Sequence, residues 1–171
     1  MRRSYVFRLY PTRGQKVALA ECVETHRRLY NRALYERTTA WETEKRPVRF
    51  GDQSAELKTE RRANPYLAKT NFGSTQATLR RLDRAFQAFF RRVKSGETPG
   101  YPRFKGANRF DTIEFPSHGN GCRYFGTSVY LQHIGRVVAG KLCGLRGPAE
   151  GREGPGPGGE PGVERVLVLD P

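Results

Sequence analysis

Cysteine is scarce in this chain of 171 residues: only Cys22, Cys122 and Cys143 occur. They stand too far apart for a Cys-x-x-Cys zinc knuckle and give no disulfide framework, so they read as reduced thiols. No apolar run approaches the roughly 20 residues of a membrane helix, and the start, MRRSYVFRLYP, is basic without the apolar core of a secretory signal. A soluble, cytoplasmic protein with no membrane partner is expected. Catalytic signatures are missing too. There is no nucleophile elbow, no His-Glu-x-x-His pair and no Gly-rich phosphate loop. The histidines, His26, His118 and His133, are scattered. His26 falls on an apolar helical face, where a satisfied core histidine is the simpler reading; His118 in a turn and His133 in a strand are read the same way. No catalytic residue, metal site or cofactor is expected. Acidic side chains are also in deficit, with 17 Asp and Glu against 31 Lys and Arg, a formal charge of +14. Such an excess points to a polyanion, most often nucleic acid.

What is present is strongly patterned. SYVFRLYP alternates strand-forming residues until Pro11 stops it. From Thr12 the apolar spacing becomes helical, with Leu19, Val23, His26, Tyr30, Ala33 or Leu34, and Trp41 on one face, either as one long helix or as two joined near Glu24. Pro47 closes this region. Asp52 is placed to cap a short helix from Gln53 to about Arg62, ended by Asn64-Pro65. A strong helix follows from Ser74 to Lys94, with Leu79, Leu82, Phe86, Phe89, Phe90 and Val93 on one stripe and Gly96 as terminator. Strands then return: DTIEFP, CRYF and VYLQHIGRVV, separated by HGNG and GTS. The order strand, helices, strands predicts an α+β fold, a β-barrel or sheet interrupted by a helical insertion. The boundaries are residues 1–11 for the first barrel strand, 12–98 for the helical lobe, 99–143 for the remaining barrel strands and 144–171 for a tail. Thirteen of the last 28 residues are Gly or Pro, which predicts a disordered tail.

Two features carry binding chemistry. In GYPRFKGANRF, Tyr101 and Phe104 could stack on bases while Arg103, Lys105 and Arg109 neutralise phosphates. The structural alternative makes Phe104 a barrel plug and the cations a solvated rim. On the Ser74 helix, Arg80, Arg84 and Arg91 share the face opposite the apolar stripe. A charged outer face is ordinary for an amphipathic helix, but Asp83 is the sole acid between Ser74 and Lys94, which favours an anionic partner.

The ordered motifs FRLYPTRGQ, RRLYNRAL, GDQSAEL, TLRRLDRAFQAFFRRVKSGETPGYPRFK, DTIEFP and HIGRV resemble the N-terminal part of the TnpB/OrfB family of transposon-encoded RNA-guided nucleases. The resemblance covers residues 5–138. It implies a wedge-like β-barrel interrupted by a helix-turn-helix-like recognition lobe, with GYPRFK returning the chain from lobe to barrel. It further implies a guide RNA and double-stranded DNA as partners, the DNA being read at a short motif beside the target. By position the motif-reading groups fall at Phe50, Ser54 and Gln76. Ser54 and Gln76 keep the expected residue, whereas Phe50 replaces a tyrosine hydroxyl, so the DNA preference would differ. The family's RuvC nuclease, with three acidic residues for magnesium, and its four-cysteine zinc ribbon would lie beyond this chain. The resemblance therefore implies a nucleic-acid-binding part without its own nuclease centre. After HIGRV the family continues with basic strands, whereas this chain turns Gly/Pro-rich, as a frameshift in a GC-rich gene would produce. The rival readings are a transposase or nuclease using residues not recognised above, or a pseudogene product that binds nothing specific. The oligomeric state stays open.

Overall fold

Pro11 ends the first strand, and Thr12 begins the longest helix. In the computed structural model, which describes residues 7–141, β1 (Phe7–Tyr10) leads into α1 (Arg13–Glu44). Thr12 Oγ1 accepts from the Gln15 N–H, and Gln15 Oε1 accepts from the Thr12 N–H at 3.0 Å. This capping box satisfies two donors that a helix start would otherwise leave bare. No proline interrupts the next 32 residues, so α1 is one helix, roughly 48 Å long at 1.5 Å per residue. Lys45, in the left-handed region at φ 52°, ends it.

The second helix, α2 (Phe50–Ala63), starts one turn before the expected Gln53. Asp52 lies inside its first turn, where the carboxylate accepts the Arg49 N–H at 2.9 Å. Asn64 then caps a short α3 (Pro65–Ala68), and Asn71 caps α4 (Phe72–Lys94) by accepting the Ser74 N–H at 2.9 Å. Contacts between α1 and α4 advance together, from His26 with Ser74 to Arg37 with Asp83, so the two helices run parallel. The contacts of α2 run the other way, from Gln53 with Arg37 to Glu60 with Arg32, so it lies antiparallel to α1.

Two hydrophobic cores result. Leu29, Tyr30, Ala33 and Leu34 of α1, Leu57, Leu67, and Leu79, Leu82 and Phe86 of α4 form the lobe core, together with Phe110. The second core joins Leu19 to Ile113, Phe115, Val129, Leu131, Val137 and Ala139 under the sheet. Val23 packs against both. The expected apolar stripes run past the first core. Trp41, Phe90 and Val93 of those stripes are exposed.

The sheet is antiparallel, in the order β1-β4-β3-β2, with β2 at Cys122–Tyr124, β3 at Ser128–Leu131 and β4 at Gly135–Lys141. Three expectations need correction. DTIEFP joins no ladder; it is extended chain that delivers Ile113 and Phe115 to the sheet core. VYLQHIGRVV is two strands rather than one, reversing at 132–134 with His133 at φ 67° and Gly135 at φ 96°, so His133 sits in a turn. The barrel is, among the described residues, an open four-stranded sheet with β1 and β2 as edges, since even small barrels close with about five strands or more. The expected tail, 144–171, lies outside the described residues.

Lobe and sheet meet at Asn71. While its Oδ1 caps α4, its Nδ2 donates to Gln132 Oε1 at 2.7 Å and to Asn120 Oδ1 at 3.2 Å. Gly121, at φ 83°, leaves the room: a Cβ there would stand 2.3 Å from Asn71 Nδ2. The limits of the lobe core are checked by a pair of substitutions on one helix. Leu82 is fully buried and Phe90 is 61% exposed. Leu82→Ala should therefore cost about 2–5 kcal/mol, and Phe90→Ala less than about 0.5 kcal/mol. Urea unfolding of both variants measures the difference, and equal losses would refute this boundary.

Candidate nucleic-acid interface

Phe50 and Ser54 are four residues apart on α2, and Gln76 and Arg80 four apart on α4, so each pair shares a helix face. Packing of α2 on α4 brings the pairs together. Gln76 Nε2 donates to Ser54 Oγ at 3.1 Å, and the Arg80 guanidinium carbon lies 5.4 Å above the Phe50 ring. Phe50 anchors one edge of the strip by packing on the lobe core, while Arg80 faces solvent. The strip thus presents an amide, a hydroxyl and a guanidinium side by side, groups able to bond base edges and phosphates.

The rest of the arginine stripe divides. Arg84 is paired with Glu114 at 3.1 Å, so its charge is partly engaged within the protein. Arg91 is exposed and has no side-chain partner among the described residues. Asp83, the lone acid of α4, is turned inward and accepts from Arg37 Nη1 at 3.0 Å. Arg37 is itself buried, donating from Nε to Gln53 Oε1 at 2.9 Å and lying 5.3 Å from the Phe86 ring, with Nη2 unpartnered. Gln53 in turn donates to the Ala33 carbonyl and to Glu36 Oε2. Sequence reasoning missed this network. Its signal was Arg37, a charge on the apolar stripe of α1, together with a single acid on α4.

Gly100 to Phe110 forms a strap that runs back along the α1/α4 groove toward the sheet. Tyr101 stands edge-on to Phe86 and Phe89 with ring centroids 5.7 and 5.2 Å apart, and its hydroxyl is 3.4 Å from Thr38 Oγ1. Asn31 clamps the backbone of Lys105 from both sides, accepting its N–H at 2.8 Å and donating to its carbonyl at 2.9 Å; Arg27 donates to the same carbonyl. The Lys105 ammonium lies 6.0 Å from the Tyr30 ring. Phe110 is buried, with Arg81 4.9 Å above it. Between these anchors Arg103, Phe104 and Arg109 project outward, Phe104 58% exposed. Phe104 is therefore no barrel plug, and Tyr101, expected as a stacking platform, rests against the lobe rings while staying 45% exposed.

The buried titratable groups near the joint are structural. Burial pushes the Cys22 thiol up to about 11, far from thiolate chemistry. His26 Nδ1 lies 2.7 Å from the Cys22 carbonyl, which can only accept, so Nδ1 carries the proton and Nε2 faces the Ser74 hydroxyl at 2.9 Å. Burial lowers His26 from its ordinary 6.5 to about 4. Glu24 is held down at about 2 by hydrogen bonds from Arg27 and then Arg28.

The fold is thus α+β, with exposed cations and aromatic rings on the helical lobe. Residues 1–46 match the helix-turn-helix domain of the OrfB/IS605 family. The described part of that stretch is β1 followed by the single helix α1, so the helices packed against it come from α2 and α4. A protein of Streptomyces pristinaespiralis described as "Putative RNA-guided DNA endonuclease" is 36% identical over 109 residues, 61% of this chain and 25% of that protein. The match thus spans a quarter of that relative. The chain is similar to TnpB/OrfB-type proteins, through the domain match at residues 1–46 and through this relative.

The histidine gives a pH test. The unfolded chain takes up a proton near 6.5 while folded His26 resists until about 4. Its contribution is thus complete above pH 6.5 and is lost as pH falls from there to about 4. Urea midpoints should drop across that window, and His26→Gln should flatten the drop. An identical pH profile for the variant would contradict the assignment.

Proposed function

We propose that this region holds a guide RNA and reads a short motif in double-stranded DNA through the α2/α4 strip. The observation that carries the reading is the Gln76–Ser54 hydrogen bond beside Arg80 and Phe50. It joins residues on two helices into one polar edge, at positions where the resemblance puts the family's motif-reading groups. Phe50 lacks a hydroxyl and supports the Arg80 guanidinium rather than contacting a base edge. The pairing of Asp83, the one acid of α4, with Arg37 supports an anionic partner, because it engages the carboxylate nearest Arg80. Arg103, Phe104 and Arg109 extend the cationic surface along the strap, where phosphates of the guide would lie; Lys105 contributes more through its clamped backbone than through its charge.

No cleavage step is assigned to residues 7–141. Among the described residues no group of three His, Cys, Asp or Glu side chains could hold a metal ion. On this reading, the magnesium and zinc that the resemblance implies would be held by RuvC and zinc-ribbon regions outside residues 7–141.

Selection of a randomised DNA duplex by the protein loaded with its guide tests the reading. Gln76→Ala should relax discrimination by about 1–3 kcal/mol at one motif position. Arg80→Ala should lower the salt slope of DNA binding by about one counterion. If both variants select the same motif as strongly as wild type, the strip is not the reader. On the strap, Phe104→Ala should weaken RNA binding by about 1–3 kcal/mol without changing Tm, whereas Tyr101→Ala should lower Tm. The reverse pattern in RNA titration and thermal melts would show that Tyr101, not Phe104, is the ring that meets bases.

A further inference from the structure

The outer face of the sheet bears a cluster that neither the strip nor the strap uses. Along the four strands, Phe7, Leu9, Val129, Leu131, Val137 and Ala139 turn toward the core. Alternation therefore sends Arg8, Tyr10, Arg123, Tyr130, Arg136 and Val138 to the other side. Tyr10 is 54% and Tyr130 42% exposed. Register sets Tyr130 between Arg136 on β4 and Arg123 on β2, and sets Tyr10 opposite Val138.

The Tyr10 ring is held in place. The Arg8 guanidinium carbon is 5.7 Å from the Tyr10 ring, and the ring lies across Gly140, where a Cβ would meet Tyr10 Cε2 at 3.0 Å. Beside them, Arg136 sits 4.4 Å from the centroid of the exposed Phe125. None of the four strands contains an Asp or Glu. On the lobe, by contrast, Arg27, Arg28, Arg32 and Arg84 are neutralised by carboxylates.

We propose that this face is a stacking platform for an unpaired stretch of RNA, with bases on Tyr10 and Tyr130 and phosphates on Arg8, Arg123 and Arg136. A base has a π-face for each ring, and its phosphates supply the charge that the acid-free strands lack. Strand spacing and rise place the two tyrosines roughly 12 Å apart, a span that suits an extended single strand. A duplex hides its bases from both rings, and a second copy of this chain would bring like charge against like. That the strand is RNA rather than DNA rests on the function proposed above.

The test uses the full chain and an unstructured single-stranded RNA 12-mer, with the same sequence as duplex RNA and as single-stranded DNA in parallel arms. Tyr10→Ala/Tyr130→Ala should lose roughly 10-fold or more in affinity for the single strand. Its salt slope should stay that of wild type, and Tyr10→Phe/Tyr130→Phe should retain wild-type affinity. The loss should be larger on RNA than on DNA and absent on the duplex. Tyr130→Trp in a Trp41→Phe background gives a readout in a protein that keeps its ring: single-stranded RNA should quench its emission. Wild-type affinity in the alanine variant, an equal loss on duplex, no quenching, or a change in self-association in place of RNA affinity would each overturn the platform. If the guide-loaded protein still selects its DNA motif, that failure leaves the α2/α4 reading standing; a wild-type chain that binds no RNA in any arm sinks both.

Discussion

The structure depends on α1 remaining one unbroken helix. Leu19 near its start belongs to the core under the sheet, and Leu29 to Leu34 belong to the core of the lobe. A break near Glu24 would separate those two cores, since Val23 is the residue that packs against both. Other parts are measured out along this rod. Gln15 donates to the Arg136 carbonyl of the sheet, His26 meets Ser74 at the start of α4, Asn31 clamps the returning strap, and Arg37 closes the far end of the lobe. A flexible joint at any of these levels would cost ordering entropy at every level beyond it.

The electrostatics follow from the same rod. Burying Arg37 would be unfavourable without partners, and the partners it takes, Gln53 and Asp83, come from α2 and α4. Using Asp83 in this way ties α1 to α4. Internal stability and external charge are therefore coupled: the contact that joins the two helices also engages the one carboxylate of the helix that carries Arg80 and Arg91. On the sheet a similar outcome arises more simply, from strands that carry no acids.

Much of this was legible in the residues. Alternation in FRLY and the three-to-four spacing from Leu19 to Leu34 reflect local backbone geometry, which a side chain's own neighbours determine. Helix starts were less so: Asp52 is a good capping residue, but it serves one turn inside α2 because packing of Phe50 on the lobe core extends the helix backward. VYLQHIGRVV reads as one strand because alternation alone does not mark a reversal, and His133 is not the glycine expected at a positive φ.

The sequence by itself determined most of the element types, the cationic excess and the ordered motifs that resemble the TnpB/OrfB N-terminal region, all properties of composition and short-range spacing. Tertiary structure alone decided which aromatic residues are anchors and which are free. Tyr101 and Phe104 lie three residues apart in the same basic, glycine-framed stretch, yet Tyr101 leans on Phe86 and Phe89 with part of its surface open, whereas Phe104 stands in solvent. It likewise decided that Ser54 and Gln76, 22 residues apart, share a hydrogen bond, and that the strands form an open sheet. Exposure and contact depend on which distant surfaces meet, and a period read along the chain carries no information about what lies across the gap.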